Sequence, residues 1–77
     1  MPKRVTYDVQ RAKEQGGWDV VKERGSTVSH HNTKEPAIES AVRRAKQESL
    51  GEVRIKGLDG KIQDERTYGK DPYPPKG

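Results

Sequence analysis

The chain has no cysteine and no phenylalanine, and only 27% of its 77 residues are apolar. Without cysteine there is no disulfide framework, no thiol nucleophile and no cysteine-based zinc site. Long apolar runs are missing as well, and none approaches the roughly 18–20 residues that a membrane-crossing helix needs. Met1-Pro2-Lys3-Arg4 leads into no apolar stretch of the kind a secretory signal carries, so the cytoplasm is the expected compartment. Neither sign of charge dominates, because 16 Lys+Arg stand against 12 Asp+Glu for a net charge of +4. A chain this short has room for one core.

Leu, Ile and Val together make 12 of the 77 residues, below the ~20% at which disorder becomes a serious alternative. Disorder also requires a large net charge, which is absent here. Patterning decides for a folded chain. Apolar residues recur at period two near both ends and at helical spacing in the middle.

Val5, Tyr7 and Val9 alternate with Thr6, Asp8 and Gln10, the signature of a half-buried strand. Gly16-Gly17 closes a polar connection where positive φ costs little. Trp18 and Val20 then alternate with Asp19 and Val21 as a second strand, with Trp18 turned inward. The stretch Lys22–Ser26 carries the turn glycine of a hairpin, Gly25. Ser26–His31 forms a weaker third strand in which Val28 is the only large apolar residue.

In the middle, Ala37, Ile38, Ala41, Val42, Ala45 and Ser49 fall on one stripe of a helix. Thr33 is the preferred N-cap, its hydroxyl accepting an orphan backbone N–H, since Asn32 in that role would make Pro36 lose a helical bond. Glu39–Arg43 and Arg44–Glu48 are i,i+4 pairs worth ~0.3–0.5 kcal/mol each. Gly51 is expected to close the helix in a left-handed cap. Beyond it, Val53 and Ile55 face one way, and Arg54 and Lys56 the other. Asp59-Gly60 signals a two-residue type I′ hairpin turn. That turn pairs Leu58 with Lys61 and Gly57 with Ile62, and sets Ile62 on the face of Val53 and Ile55.

The resulting order is β-β-β-α-β-β: a two-layer α+β domain over residues 1–69, with an antiparallel sheet packed on one helix. Residues 70–77 hold three of the five prolines and read as an extended tail.

Gly17-Trp18-Asp19-Val20, Thr33-Lys34-Glu35-Pro36-Ala37-Ile38, Asp59-Gly60-Lys61-Ile62 and Glu65-Arg66-Thr67-Tyr68-Gly69-Lys70-Asp71-Pro72 follow one another in a familiar order. Nearly the whole chain, from about Val5 to Gly77, resembles the small bacterial proteins grouped as domain of unknown function 2188. Pro36 stands where that pattern has a second Glu, so a reciprocal capping box is lost. The resemblance implies a small stand-alone bacterial domain and brings no activity, substrate or partner with it.

Catalytic patterns are missing. No phosphate-binding glycine loop, nucleophile elbow or His-Glu-x-x-His occurs. His30 and His31, adjacent on a strand, point to opposite faces and are poorly placed to chelate one metal. Asp59 is explained by its turn. The expectation is a protein that is not an enzyme and needs no cofactor, metal or small-molecule substrate.

The basic residues point to binding. Arg54, Lys56 and Lys61 should share the outer hairpin face, and Arg43, Arg44 and Lys46 lie off the apolar stripe of the helix. Either set can neutralise phosphates, so a nucleic-acid-binding module using Arg54, Lys56 and Lys61 is the leading expectation. Glu39, Glu48 and Glu52 are interleaved with these cations, however, and a mosaic surface that merely keeps the protein soluble is the competing interpretation. Trp18 is needed for the core rather than for base stacking. The alternative function is a protein-interaction or homodimerisation module. It would act through outward-facing Val21 and Leu58 together with Tyr73, which lies between Pro72 and Pro74. Tyr68 is expected to staple the tail onto the sheet.

Overall fold

The computed structural model describes residues 4–69 and contains six elements. They are β1 (Arg4–Arg11), β2 (Trp18–Lys22), β3 (Thr27–His31), α1 (Lys34–Lys46), β4 (Leu50–Lys56) and β5 (Ile62–Gly69). The β-β-β-α-β-β order and the single helix match the sequence expectation. The proline-rich stretch 70–77, with Tyr73, lies outside the described residues.

The five strands form one sheet in the order β3-β2-β1-β4-β5. The expected all-antiparallel sheet is corrected to a mixed one, since β1 and β4 run parallel in its centre while the other pairs are antiparallel. The reason is the crossover. Strands β1 to β3 meander out to one edge, and α1 then carries the chain back across the sheet, so β4 restarts in the direction of β1 and docks beside it.

The core lies between α1 and one sheet face, where Tyr7, Val9, Val20, Val53 and Ile55 meet Ala37, Ala41 and Ala45. Trp18, Val28, Ile38, Val42 and Tyr68 pack around it, half-buried. Burial raises the Tyr7 hydroxyl, and the hydrogen bond it donates to Glu48 Oε2 at 2.8 Å raises it further, together up to about 12.

Gly51 is not the helix cap. The helix closes at Gln47 in right-handed geometry, and Gly51 lies buried in β4. A Cβ there would sit 2.2 Å from the Ala45 carbonyl oxygen. What needs the glycine is the close approach of helix to sheet, as does the alanine stripe opposite it. Ser49 lies beyond the helix and is exposed.

Thr33 has the extended backbone of an N-cap, yet its hydroxyl makes no capping bond. The usual donors are the N–H groups of the second and third helical residues. The third is Pro36, which has none. Neither expected ion pair along the helix forms: Glu48 takes the Tyr7 hydroxyl, and Arg44 turns to Ser40 and to the Val28 carbonyl.

At the β4–β5 turn, Gly57 N–H donates to the Lys61 carbonyl and Gly60 N–H to the Gly57 carbonyl. Only Gly60 has positive φ there (84°), which excludes the type I′ turn, whose two central residues are both left-handed. The loop therefore has three residues, and Ile62 pairs with Lys56 instead of Gly57. That one-step slip turns Ile62 away from the core, where it is 45% exposed. The extra residue Gln63 then restores the phase, and Ile55 faces Asp64. In the β2–β3 turn the left-handed residue is Arg24 (φ 63°), not Gly25.

Candidate binding surfaces

The sheet face away from α1 is open. Strand alternation places Thr6, Asp8 and Gln10 of β1 there beside Glu52, Arg54 and Lys56 of β4, at the registers Thr6–Glu52 and Asp8–Arg54. Arg54 and Lys56 thus point outward as expected, but both have partners. The Arg54 guanidinium grips Asp8 with two bonds, Nε to Oδ1 at 2.7 Å and Nη2 to Oδ2 at 3.1 Å. Those bonds raise the Arg54 pKa above its ordinary value. Lys56 Nζ donates to Gln10 at 3.3 Å, and Arg4 lies 3.7 Å from Glu52. Lys61 stands opposite Gly57, one step out of phase with Lys56, so the three hairpin cations do not share one face. The open face is a mosaic of charges.

At one end of the sheet, Arg11, Lys13 and Lys56 surround a depression of about 270 Å³ that also includes Gln10, Leu58 and Asp59. Leu58, at the hairpin tip, is 72% exposed. Val21 does not join it, because it lies in the middle of the open face opposite Asp8. The two apolar residues expected to form one contact patch are therefore separate.

The histidines diverge as their adjacency requires. His30 Nδ1 is 2.7 Å from Asp19, and His31 Nε2 is 3.0 Å from the Ser29 hydroxyl. Among the described residues no group of three or more His, Asp and Glu side chains converges as a metal site would. Trp18 packs against the core with Lys34 Nζ 4.9 Å above its ring, a cation–π contact.

The helix side offers a more structured surface. The basic set Arg43, Arg44 and Lys46 is split by the helix. Arg44 turns toward β3, whereas Arg43 and Lys46 flank a trough between α1 and β5. This trough of about 550 Å³ has Ile38 and Val42 as its apolar floor and Glu39, Arg43, Lys46, Gln47 and Arg66 as its rim. Both ends are bridged. Lys34 Nζ donates to Gln63 Oε1 at 2.8 Å at one end, and Lys46 Nζ lies 5.6 Å from the Tyr68 ring centroid at the other. Tyr68 thus lies within β5 and packs against the core, while the stretch it was expected to staple lies outside the described residues.

Arg66 was not singled out from the sequence. Its partner across the hairpin is Val53, which puts it on the helix side, and its guanidinium reaches back to Asp64 at 3.1 Å. The signal was available, since Asp64, Arg66 and Tyr68 keep the phase of Val53 and Ile55. Beside the trough, β5 is the outermost strand, and its far edge has no strand partner among the described residues. No helix among the described residues is long and apolar enough to cross a membrane.

The sequence matches, over residues 7–68, the model of a family described as uncharacterized proteins conserved in bacteria (DUF2188), and the chain belongs to that family. No curated protein and no solved structure matches it.

Proposed function

We propose that this protein is a non-catalytic binding module of the bacterial cytoplasm that captures an extended segment of another protein between α1 and the edge of β5. The observation that carries this reading is the trough itself: an apolar floor of Ile38 and Val42 beside an edge strand of eight residues. An incoming strand can pair its backbone with β5 while one of its apolar side chains reaches the floor, so main-chain bonds supply affinity and the pocket supplies selectivity. Arg43 and Lys46 favour acidic residues flanking that anchor. The non-catalytic part of the reading is supported by Asp8. It is the most buried carboxylate, and it is held in a bidentate pair with Arg54 rather than poised to move protons.

A random peptide library displayed on phage tests this reading. Enriched peptides should carry an apolar residue between acidic ones, bind Leu58→Lys as well as the unaltered chain, and lose at least tenfold in affinity against Val42→Asp. Absence of enrichment, or enrichment indifferent to Val42→Asp in a folded variant, removes it.

The cluster of Arg11, Lys13 and Lys56 around Leu58 favours a second reading, a weak nucleic-acid contact at the end of the sheet. Phosphate contacts of this kind weaken steeply as salt rises. A duplex of DNA or RNA should then be retarded at low salt and released by Arg11→Glu with Lys56→Glu, whereas Arg54→Glu should act only through stability. Retardation that ignores salt rejects this second reading.

A further inference from the structure

We infer that the segment captured in the trough between α1 and β5 is the C-terminal end of the partner chain, with its terminal carboxylate held between Arg43 and Arg66. This rests on the interaction reading above and names the chemistry of its ligand. It starts from the direction of the trough. Gln63 of β5 meets Lys34, the first residue of α1, and Tyr68 meets Lys46, the last. Strand and helix therefore run the same way. Five steps along β5, about 17 Å at ~3.3 Å each, match twelve steps along α1, about 18 Å at ~1.5 Å each.

Charge is spread unevenly along that length. Measured from Lys34, Ile38 and Glu39 come about 6–8 Å along the helix, Val42 and Arg43 about 12–14 Å, and Lys46 at the far end. Arg66 stands three residues beyond Gln63, about 10 Å along the strand. The far half of the trough thus holds Arg43, Lys46 and Arg66, and the near half holds the one carboxylate of the rim, Glu39. Lys34 at the near end is already engaged by Gln63 and the Trp18 ring. A fitting ligand sets an apolar side chain on Ile38 and Val42 and a negative charge about 6 Å farther on, one or two residues of extended chain.

An acidic side chain inside a longer segment also brings that charge, but its chain must continue across Lys46 and Tyr68, which close the far end. A chain that stops there does not. Its carboxylate presents two oxygens, which a guanidinium binds as a fork. The guanidinium groups are accessible to it. Arg43 is exposed and makes no ion pair among the described residues, and Arg66 shares its charge with Asp64, which is itself exposed. With its carboxylate at the Lys46 end, the captured segment runs parallel to β5, as β4 runs parallel to β1.

The test uses acetylated hexapeptides of random sequence in two pools, one ending in a free carboxylate and the other in a carboxamide. Both pools are passed over the full chain, and each retained sequence is titrated in both forms. The acids should bind about tenfold more tightly than the amides, or better. Arg43→Gln with Arg66→Gln should remove that preference and leave the affinity of the amides unchanged; if this variant does not fold, the ratio of acid to amide on the unaltered chain decides. A nitroxide on the first residue of the peptide should broaden the backbone signal of Gln63 and not that of Tyr68. Equal binding of acids and amides, or broadening at Tyr68 instead, overturns the inference and leaves the interaction reading standing. Failure of both pools while internal segments displayed on phage still bind overturns the inference alone, and failure of every peptide removes both.

Discussion

Strands β4 and β5 are two arms of one hairpin, bonded along their whole length, yet they occupy different environments. In β4 every second residue is buried, Gly51, Val53 and Ile55 in turn. In β5 all residues but Tyr68 are exposed. The cause is the position of α1, which packs most closely on β4 and β1 and least on β5. Of the β5 residues that keep the phase of Val53 and Ile55, Tyr68 packs against the core, but Asp64 and Arg66 bring nothing apolar for a helix to cover. The hairpin thus divides its labour. One arm closes the core, and the other leaves a trough and a free edge.

The largest test of that division compares two isoleucines of the hairpin. Ile55→Ala removes a buried side chain under α1 and should cost about 2–5 kcal/mol. Ile62→Ala, on the open face, should cost less than about 0.5 kcal/mol. Urea unfolding with equal slopes measures both. Comparable losses would mean that Ile62 is in the core, as a two-residue turn would have put it.

The next effect belongs to the covered side of the sheet and is driven by pH. The Tyr7 hydroxyl is raised to about 12 in the folded protein and returns to ~10 on unfolding. Its contribution is therefore complete below pH 10 and is lost as pH rises through the folded value. The loss over that window reaches about 2–3 kcal/mol. Lysines titrate in the same range, so the comparison is with Tyr7→Phe. Between pH 10 and 12 the variant should lose stability distinctly less steeply than the unaltered chain.

The same contrast explains what was legible in the sequence. Where strand and helix cover one another, side-chain period reports directly on burial, and Val5 to Val9, Trp18 to Val20, Val53 to Ile55 and the alanine stripe all stand where their spacing put them. The errors fall where backbone geometry outranks period. Asp59-Gly60 suits both a two-residue and a three-residue loop, and the difference of one residue reverses Ile62. Gly51 is a plausible cap by position, but the chain needs it for the close approach of Ala45. The parallel pairing of β1 with β4 follows from the return path of α1, which no local pattern encodes. Of the candidate site, Arg43 and Lys46 were legible as cations off the apolar stripe. Their partners were not, because Arg54 meets Asp8 and Arg66 meets the helix only through strand order and register.

A smaller effect compares the two glycines near the ends of β4. A methyl group at Gly51 meets helix backbone that cannot give way without moving α1, so Gly51→Ala should cost about 1–3 kcal/mol. At Gly57 the nearest atom, at 2.6 Å, is the Gln63 amide nitrogen, at the far end of a flexible, exposed side chain. Gly57→Ala should cost a small fraction of that, and thermal unfolding of the two variants side by side reads the difference. Equal costs would show that α1 does not press on β4 as closely as the geometry says.

The smallest contrast concerns the two carboxylates flanking Arg54 across the open face, Asp8 on β1 and Glu65 on β5. Arg54 bonds only to Asp8, a choice that follows from burial. Asp8 is 8% exposed and has few water molecules to turn to, whereas Glu65 is exposed and well hydrated without a partner. Removing Asp8 leaves a half-buried guanidinium unpaired, so Asp8→Ala should cost about 1–2 kcal/mol, and Glu65→Ala less than about 0.5 kcal/mol. The double variant Asp8→Ala with Arg54→Ala should be more stable than the sum of its parts by about 1 kcal/mol, because no orphaned charge remains. Strict additivity in that cycle would leave Arg54 an independent surface cation, and the open face of the sheet would then regain the free positive charge that its pairing with Asp8 removes.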